Sequence, residues 1–499
     1  MGAGKSTALA AAREAGLETT EIDELMEEAL GKPIRAAFEE DGEEAFRTRE
    51  AEVVGELLER ADGGAIALGG GSVLSERVRK ALDRHVVVWL QVDADEAWRR
   101  IAHSDRPLAT SVEDVTELLA ERLPHYERLA DAIVLPGDRQ ALERAMPSLL
   151  TLSRLPGGTR MLWAASASGA YPVFVGPELL GNAPWPLPGR RFAVTDSAVG
   201  PLHADRVEPL TARVEAEPGE SAKTMAEAER VLRELARAGM TGEDHVVALG
   251  GGVVGDLAGF CAHVYQRGVP VIQVPTTLVA QVDSAYGGKT GVDLPEGKNY
   301  VGGYHPPAAV LTDTATLATL PRAELAAGFV ELLKTGLLAG GELWREARAL
   351  ESIDPERLGA AIFACARYKC EVVAADERDS GPRQVLNLGH TVGHAIEAAS
   401  GYERYRHGEA IGLGLLAALR LSGAPELRDA VESILARHEL PTSLAAAVGA
   451  DQIMEALQRD KKRTAEGVGF VLLSEPGKPR YGELVDSAEV RAAVEELYA

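Results

Sequence analysis

Three histidines, His390, His394 and His407, fall within 18 residues, in RQVLNLGHTVGHAIEAASG (383–401) and RHGEAIGLG (406–414). His390 and His394 are four apart, so on a helix they share a face. One histidine on an apolar helix is most often a packed core residue. Three of them, with Glu331 upstream in the apolar stretch GFVELLKTG (328–336), suit a metal ion better. Two histidines and a glutamate with one position left open is a catalytic zinc arrangement. Spacing does not say which two histidines ligate, and the four-residue step nominates His390 with His394. Glu331 and Lys334 are three apart, which by itself is the mark of a surface ion pair.

Two further stretches suit phosphates. ALGGGVVGDLAGFCAHVYQRG (248–268) follows an apolar run and is shaped like a dinucleotide turn, without the strict G-x-G-x-x-G spacing. A tight strand–helix turn is its plainer reading. DSAYGGKTGVDLPEGKNYVGGYHPP (283–307) sets Lys289 and Lys298 on glycine-rich loops beside Asp283 and Asn299, where they can meet phosphate or carboxylate. At the other end, MGAGKSTALA reads as the second half of a G-x-x-x-x-G-K-[ST] loop. The backbone N–H groups of Gly2, Ala3, Gly4 and Lys5 would cradle phosphate, the Lys5 ammonium would reach the outer phosphates, and Ser6, followed by Thr7, would hold Mg²⁺.

The elements that must position these residues are α/β in type. The 499 residues are enough for about two to four domains. A net charge of -24 argues against nucleic acid or an anionic membrane as partner. Cys261, Cys365 and Cys370 lack metal or disulfide spacing. No apolar run reaches the ~18 residues of a membrane span, and the N-terminus lacks the shape of a signal peptide. A cytoplasmic protein is expected. Residues 63–70, 85–92 and 131–137 read as buried strands among helices. The Pro-Gly-Gly of TLSRLPGGTRM (151–161) reads as a breaker, so 151–165 is taken as a linker. Strands follow at 171–176, 190–196, 244–252 and 269–277. Beyond 321 the strand signal fades, and 323–340, 355–375, 409–422 and 425–438 read as helices.

EID (21–23), FRTRE (46–50), GGG (69–71), DRPL (105–108) and ERLPHYERLAD (121–131) follow the opening loop in an order that resembles shikimate kinase. The resemblance covers about residues 1–145. It implies ATP and Mg²⁺ at Gly2–Thr7, shikimate held by Asp23, Arg47, Gly69, Gly70, Gly71 and Arg122, and Arg106 on a lid over the ATP phosphates. A planar guanidinium suits a carboxylate, and phosphoryl transfer needs positioning and charge neutralisation above all. Glu21 stands where the family has an aspartate. The family's central strand and first loop residues would precede Met1, so phosphoryl transfer is expected to be impaired without them. A non-catalytic packing module is the alternative for this block.

From about residue 165 to 495 the motifs resemble 3-dehydroquinate synthase. The resemblance implies that Glu331, His390 and His407 bind Zn²⁺ or Co²⁺, and moves His394 to the substrate. NAD⁺ would be held by Glu220 and Lys223, by Gly251, Gly252, Val253, Val254, Gly255 and Asp256, and by Thr276, Thr277, Lys289, Lys298, Thr316 and Thr319. Arg267, Asp283, Lys289, Asn299, Lys334, Lys369, Arg383, Asn387 and His394 would form the catalytic and substrate set, with Lys461 or Lys462. The reaction implied converts 3-deoxy-D-arabino-heptulosonate 7-phosphate to 3-dehydroquinate and phosphate. NAD⁺ takes a hydride at C5, phosphate is eliminated, the hydride returns, and an aldol step closes the carbocycle. A related sugar-phosphate cyclase or a metal-dependent polyol dehydrogenase is the alternative.

The fold expected is therefore a P-loop kinase-like parallel α/β domain (1–150), a linker (151–165), a Rossmann-like α/β part (166–321) and a mostly helical metal- and substrate-binding part (322–499). The partners expected are small-molecule substrates, with a homodimer by analogy to the family.

Overall fold

The computed structural model describes residues 2–102, 111–137, 140–459, 463–464 and 467–498. Arg106, Lys461 and Lys462 lie outside them. The chain divides into two compact units, residues 1–165 with 170–172, and residues 166–169 with 173–499.

In unit 1 the helix Lys5–Glu14 starts directly after Gly4, whose φ of 87° is left-handed. Strand β1 (Thr19–Glu21) pairs in parallel with β2 (Ala65–Ala67). Strands β3 (Val88–Leu90), β4 (Ala132–Val134) and β5 (Arg160–Ser166) run parallel in that order. Ile22, Met26, Phe46, Val54 and Leu58 pack in one core. Helix Val112–Leu129 opens with a capping box, Ser111 and Asp114 each bonding the other's backbone N–H. A cavity of about 630 Å³ is lined by Ala65–Leu68 along β2, by Val86–Leu90 along β3, and by Leu9 and Ala12 of the first helix. Among the described residues β2 pairs only with β1, and β3 only with β4. Val86 and Val88 accordingly stay 39% and 37% exposed.

The expected linker 151–165 is corrected. Helix Ala141–Leu152 runs into it and β5 begins at Arg160. Pro156-Gly157-Gly158 is only a turn, closed by Thr159 N–H donating to the Pro156 carbonyl at 3.1 Å. The apolar MLWAA that follows pairs with β4, and that pairing makes it a strand of the first unit.

Unit 2 holds an all-parallel sheet. Its strands are β6 (Gly169–Gly176), β7 (Arg191–Asp196), β8 (Ala212–Ala216), β9 (His245–Gly250), β10 (Val271–Pro275) and, after the antiparallel hairpin β11 (Lys289–Leu294) and β12 (Gly297–Tyr304), β13 (Ala309–Asp313). The spatial order is 6-13-10-9-7-8. From β9 the chain proceeds to one side, and from β7 to the other, so the order reverses between these two strands. In open α/β sheets ligands bind outside the carboxyl ends of strands at such a reversal. Phe192, Val194, Val246, Leu257 and Val271 are among the side chains that seal the core on one face.

Helices Arg322–Ala339, Gly359–Ala375, His390–Ala399, His407–Leu421 and Pro425–Arg437 follow. Their starts and ends lie within a few residues of the periodic stretches in the sequence. The helical part also carries an antiparallel hairpin, Gly467–Leu473 with Pro479–Leu484, beyond what the fading strand signal suggests.

Candidate functional site

Helix Arg322–Ala339 is buried almost all round, which its apolar sequence dictates. Glu331 and Lys334 therefore sit inside, 0% and 1% exposed, with Nζ 2.6 Å from Oε2. That excludes the surface ion pair. Helix His407–Leu421 crosses close by because residue 408 is glycine. A Cβ there would stand 1.8 Å from the Ala327 carbonyl oxygen. This approach carries His407 Nε2 to 3.3 Å from Glu331 Oε1, and His390 Nε2 lies 3.5 Å from the same oxygen. Donors about 2.1 Å from a tetrahedral ion stand about 3.4 Å apart. Both Glu331 oxygens are buried without a hydrogen bond in good geometry among the described residues, as a carboxylate kept for a metal would be. His394 joins the cluster, for ligand atoms of all three histidines lie within 4.8 Å of one another.

Charge alternates around this centre. Lys334 is 3.7 Å from Asp283, which also pairs with Lys369. Burial opposes ionisation of Glu331, yet Lys334, His390 and His407 outweigh it and hold the carboxyl well below its ordinary range. Asp283 is likewise pushed up by burial and brought below its usual value by Lys369 and Lys334. Burial lowers His407, but Glu331 and Glu397 raise it to about 10 in the metal-free protein. The residue that sequence reasoning missed is Glu397. It is seven residues after His390 and three after His394, on the same helix face, and that acid in step with the histidines was the available signal.

Gly251 caps the helix Gly252–Val264 immediately after β9, at the reversal of strand order. A Cβ at Gly251 would come 2.9 Å from Thr277 Cγ2, so only glycine leaves the turn open. The helix N-terminus offers N–H donors to an anion, and the buried Thr276 hydroxyl beside the turn has no partner among the described residues. A dinucleotide pyrophosphate fits there. Val253, Val254 and Gly255 form the helix's first turn, and Asp256 pairs with Lys223 at 2.5 Å. Burial lowers Lys223, while Asp256 and Glu220 raise it further, so it stays charged. Lys298 lies 3.5 Å from Glu220. Thr316 and Thr319 lie in the turn Thr314–Thr319, where Thr316 Oγ1 bonds Gln281 and Thr319 Oγ1 bonds His203.

The remaining residues of the set are placed unevenly. Lys289 is half-exposed and pairs with Asp379 at 2.5 Å. Arg383 is buried, donating to the carbonyls of Glu377 and Gly287 at 2.5 and 3.2 Å. Asn387 ends the turn Pro382–Asn387, three residues before His390. Asn299 is exposed at a left-handed φ of 57°. Arg267 is also exposed, at φ 73°, and makes no hydrogen bond or ion pair with the cluster. The structure therefore gathers Asp283, Glu331, Lys334, Lys369, His390, His394 and His407, and leaves Arg267 apart.

In unit 1, Ser6 Oγ donates to Glu21 Oε1 at 3.3 Å, and Lys5 Nζ to the Leu68 carbonyl at 2.6 Å. Arg47 pairs with buried Glu50 at 2.7 Å and packs on Gly71, where a Cβ would be 2.4 Å from its Nη1. Gly69 abuts the same glutamate, a Cβ there falling 2.6 Å from Oε1. Tyr126 OH donates to the Gly70 carbonyl at 2.6 Å. Arg122 is 4% exposed and its Nε has no partner among the described residues. A buried guanidinium with an unused N–H, lining one cavity with Tyr126, Gly69 and Gly70, suits a carboxylate ligand. Asp23 is half-buried in the first turn of helix Ile22–Leu30.

Comparison with known proteins follows this division. The shikimate kinase family model matches residues 1–151. The N-terminal and C-terminal models of 3-dehydroquinate synthase match 213–327 and 328–463. A 3-dehydroquinate synthase of Symbiobacterium thermophilum is 40% identical over 352 residues, covering 66% of this chain and 98% of that protein. The chain belongs to the 3-dehydroquinate synthase family. It carries a shikimate kinase domain ahead of the synthase. Solved structures agree with the synthase fold. A 2-deoxy-scyllo-inosose synthase complexed with carbaglucose-6-phosphate, NAD⁺ and Co²⁺ is 26% identical, with a TM-score of 0.62 over 68% of this chain and 99% of that one. The 2-epi-5-epi-valiolone synthase of Streptomyces hygroscopicus, with NAD⁺ and Zn²⁺ bound, is 27% identical, with a TM-score of 0.60 over 67% and 98%. Among the synthase's described residues no helix is long and apolar enough to cross a membrane.

Proposed function

We propose that unit 2 converts 3-deoxy-D-arabino-heptulosonate 7-phosphate to 3-dehydroquinate and phosphate, with Glu331, His390 and His407 holding a divalent ion and the Gly251–Asp256 turn holding NAD⁺. The observation that carries this is the Glu331 carboxylate, fully buried and set at ligand spacing from two histidine nitrogens. Bound NAD⁺ would supply a hydride acceptor and donor, and the bound ion a Lewis acid for the substrate oxygen. The chain's own residues do the rest. Lys334 neutralises Glu331 and Asp283, keeping both ionised in a dry site. Lys369 pairs with Asp283 and adds a cation for the anionic substrate. His394, beside the ligand histidines, would bond a substrate hydroxyl and carry its proton. Lys289 and Asn299, on the exposed hairpin, are assigned to substrate phosphate or carboxylate. Arg383 and Asn387 are assigned to substrate recognition from the turn ahead of His390. Arg267 keeps that assignment only by resemblance. The protein acts on small molecules, and a homodimer in the cytoplasm is the assembly and location proposed.

Incubation with the heptulosonate phosphate should release phosphate with no net NADH. Sustained NADH formation would show a dehydrogenase instead.

For unit 1 we infer ATP-dependent phosphorylation of shikimate. Gly2–Thr7 would hold ATP, and Ser6 with Glu21 would hold Mg²⁺. Arg122, Arg47, Asp23 and the Gly69–Gly71 turn would hold shikimate. The partnerless Nε of buried Arg122 supports this reading. The test is ATP-dependent phosphorylation of shikimate by the full-length protein; no phosphorylation, or turnover unchanged in Arg122→Met, would overturn this reading.

A further inference from the structure

Glu397 is buried and lies between a metal-side histidine, His407, and a nucleotide-side lysine, Lys298. It sits on helix His390–Ala399, and its side chain is 4% exposed. Oε2 lies 3.4 Å from His407 Nδ1. Oε1 lies 3.4 Å from Lys298 Nζ. Lys298 comes from β12, on the side of the dinucleotide turn. Its ammonium also lies 3.5 Å from Glu220 and 4.5 Å from the centre of the Tyr402 ring. His407 presents its other nitrogen to Glu331. One carboxylate thus touches a metal-ligand histidine with one oxygen and a nucleotide-side lysine with the other.

We propose that Glu397 is a positioning residue that couples metal binding to dinucleotide binding, by orienting His407 with one oxygen and Lys298 with the other. The inference rests on the metal and NAD⁺ sites proposed above. The physical steps are short. Accepting the Nδ1–H of His407 fixes the tautomer whose Nε2 is free to ligate, as outer-shell carboxylates do for metal-bound imidazoles. A ligated His407 is immobilised, which immobilises Glu397. Lys298 is then held ready beside Glu220, and the ordering it would otherwise undergo on dinucleotide binding is already done. Binding at either site therefore favours the other, and by the same factor.

The test measures two equilibria in the full-length protein, without turnover. Zinc affinity is read by competition with a colorimetric chelator, with and without NAD⁺. NAD⁺ affinity is read by calorimetry, with and without zinc. In the wild type each ligand should tighten the other about five-fold or more. Glu397→Gln should weaken zinc about 10–100-fold and reduce the mutual factor to about one. Lys298→Met, at a partly exposed position, should leave zinc affinity within about two-fold and still abolish the mutual factor, which a merely structural loss would not do. Wild-type zinc affinity and undiminished coupling in Glu397→Gln would overturn the role of Glu397 alone. No coupling in the wild type would also overturn it. Stoichiometric zinc that survives Glu331→Gln and His390→Ala unchanged would instead overturn the metal-site reading beneath it.

Discussion

Lys334→Met removes the cation 2.6 Å from Glu331 and 3.7 Å from Asp283 while keeping an unbranched side chain in the helix. Asp283 retains Lys369, but Glu331, 0% exposed, keeps only neighbouring imidazoles. Removing one partner of a buried pair costs about 3–5 kcal/mol. Unit 2 has roughly 330 residues, so its melting entropy is about 0.7 kcal/mol/K. The metal-free variant should therefore melt about 4–7 °C below the metal-free wild type. Saturating zinc should narrow the gap, because the ion replaces the lysine as the partner of Glu331. The assay is thermal unfolding with and without zinc. Peptide-level hydrogen exchange of helix Arg322–Ala339 would assign the transition to this unit. A metal-free variant within about 1 °C of the wild type would refute the reasoning, as would a gap that zinc leaves unchanged.

Chelation should abolish phosphate release from the heptulosonate substrate, and Zn²⁺ or Co²⁺ should restore it. Glu331→Gln and His407→Ala should each lose more zinc affinity than the roughly 10–100-fold typical of outer-shell partners, measured by chelator competition. Gly251→Ala brings a Cβ to 2.9 Å from Thr277 and should weaken NAD⁺ about ten-fold by calorimetry, with zinc affinity unchanged. Arg122→Met should weaken shikimate about 10–100-fold, the size of one or two charged hydrogen bonds, and alter ATP affinity less than two-fold. Arg190, together with Thr241, holds the Asp244 carboxyl well below its ordinary value. A depressed folded value stabilises above the unfolded pKa of about 3.9. It is lost as pH falls towards the folded value. Asp244→Asn should thus be less stable than the wild type by about 1–2 kcal/mol at pH 6–8, and the difference in denaturant midpoints should shrink below about pH 4.

The histidine cluster could be read from the sequence because its members are close along the chain and rare in composition. Which nitrogens converge could not, since that depends on Gly408 letting two helices touch. Glu397 is the same-face acid of HTVGHAIE, but an acid in a helix is ordinarily a solvated residue, so the sequence alone does not mark it. The Glu331–Lys334 pair shows the converse. Its spacing is that of a surface pair, and only burial of the helix on every side reverses the meaning. The Pro156-Gly157-Gly158 breaker reads as a link because a turn within a unit and a link between units use the same residues. What tells them apart is β5 pairing with β4, a contact between segments far apart in sequence. Arg267 illustrates another limit, for a motif can carry a residue whose side chain the fold leaves in solvent.

Along the cavity of unit 1, β2 and β3 present two apolar edges, each paired on one side among the described residues. The phosphate loop starts beside this cavity, with Gly2 seated on Ala97 and its carbonyl bonded by Arg100 at 2.9 Å. The helix that this loop opens also lines the cavity through Leu9 and Ala12, so the loop and the two strand edges share one apolar patch and should loosen together.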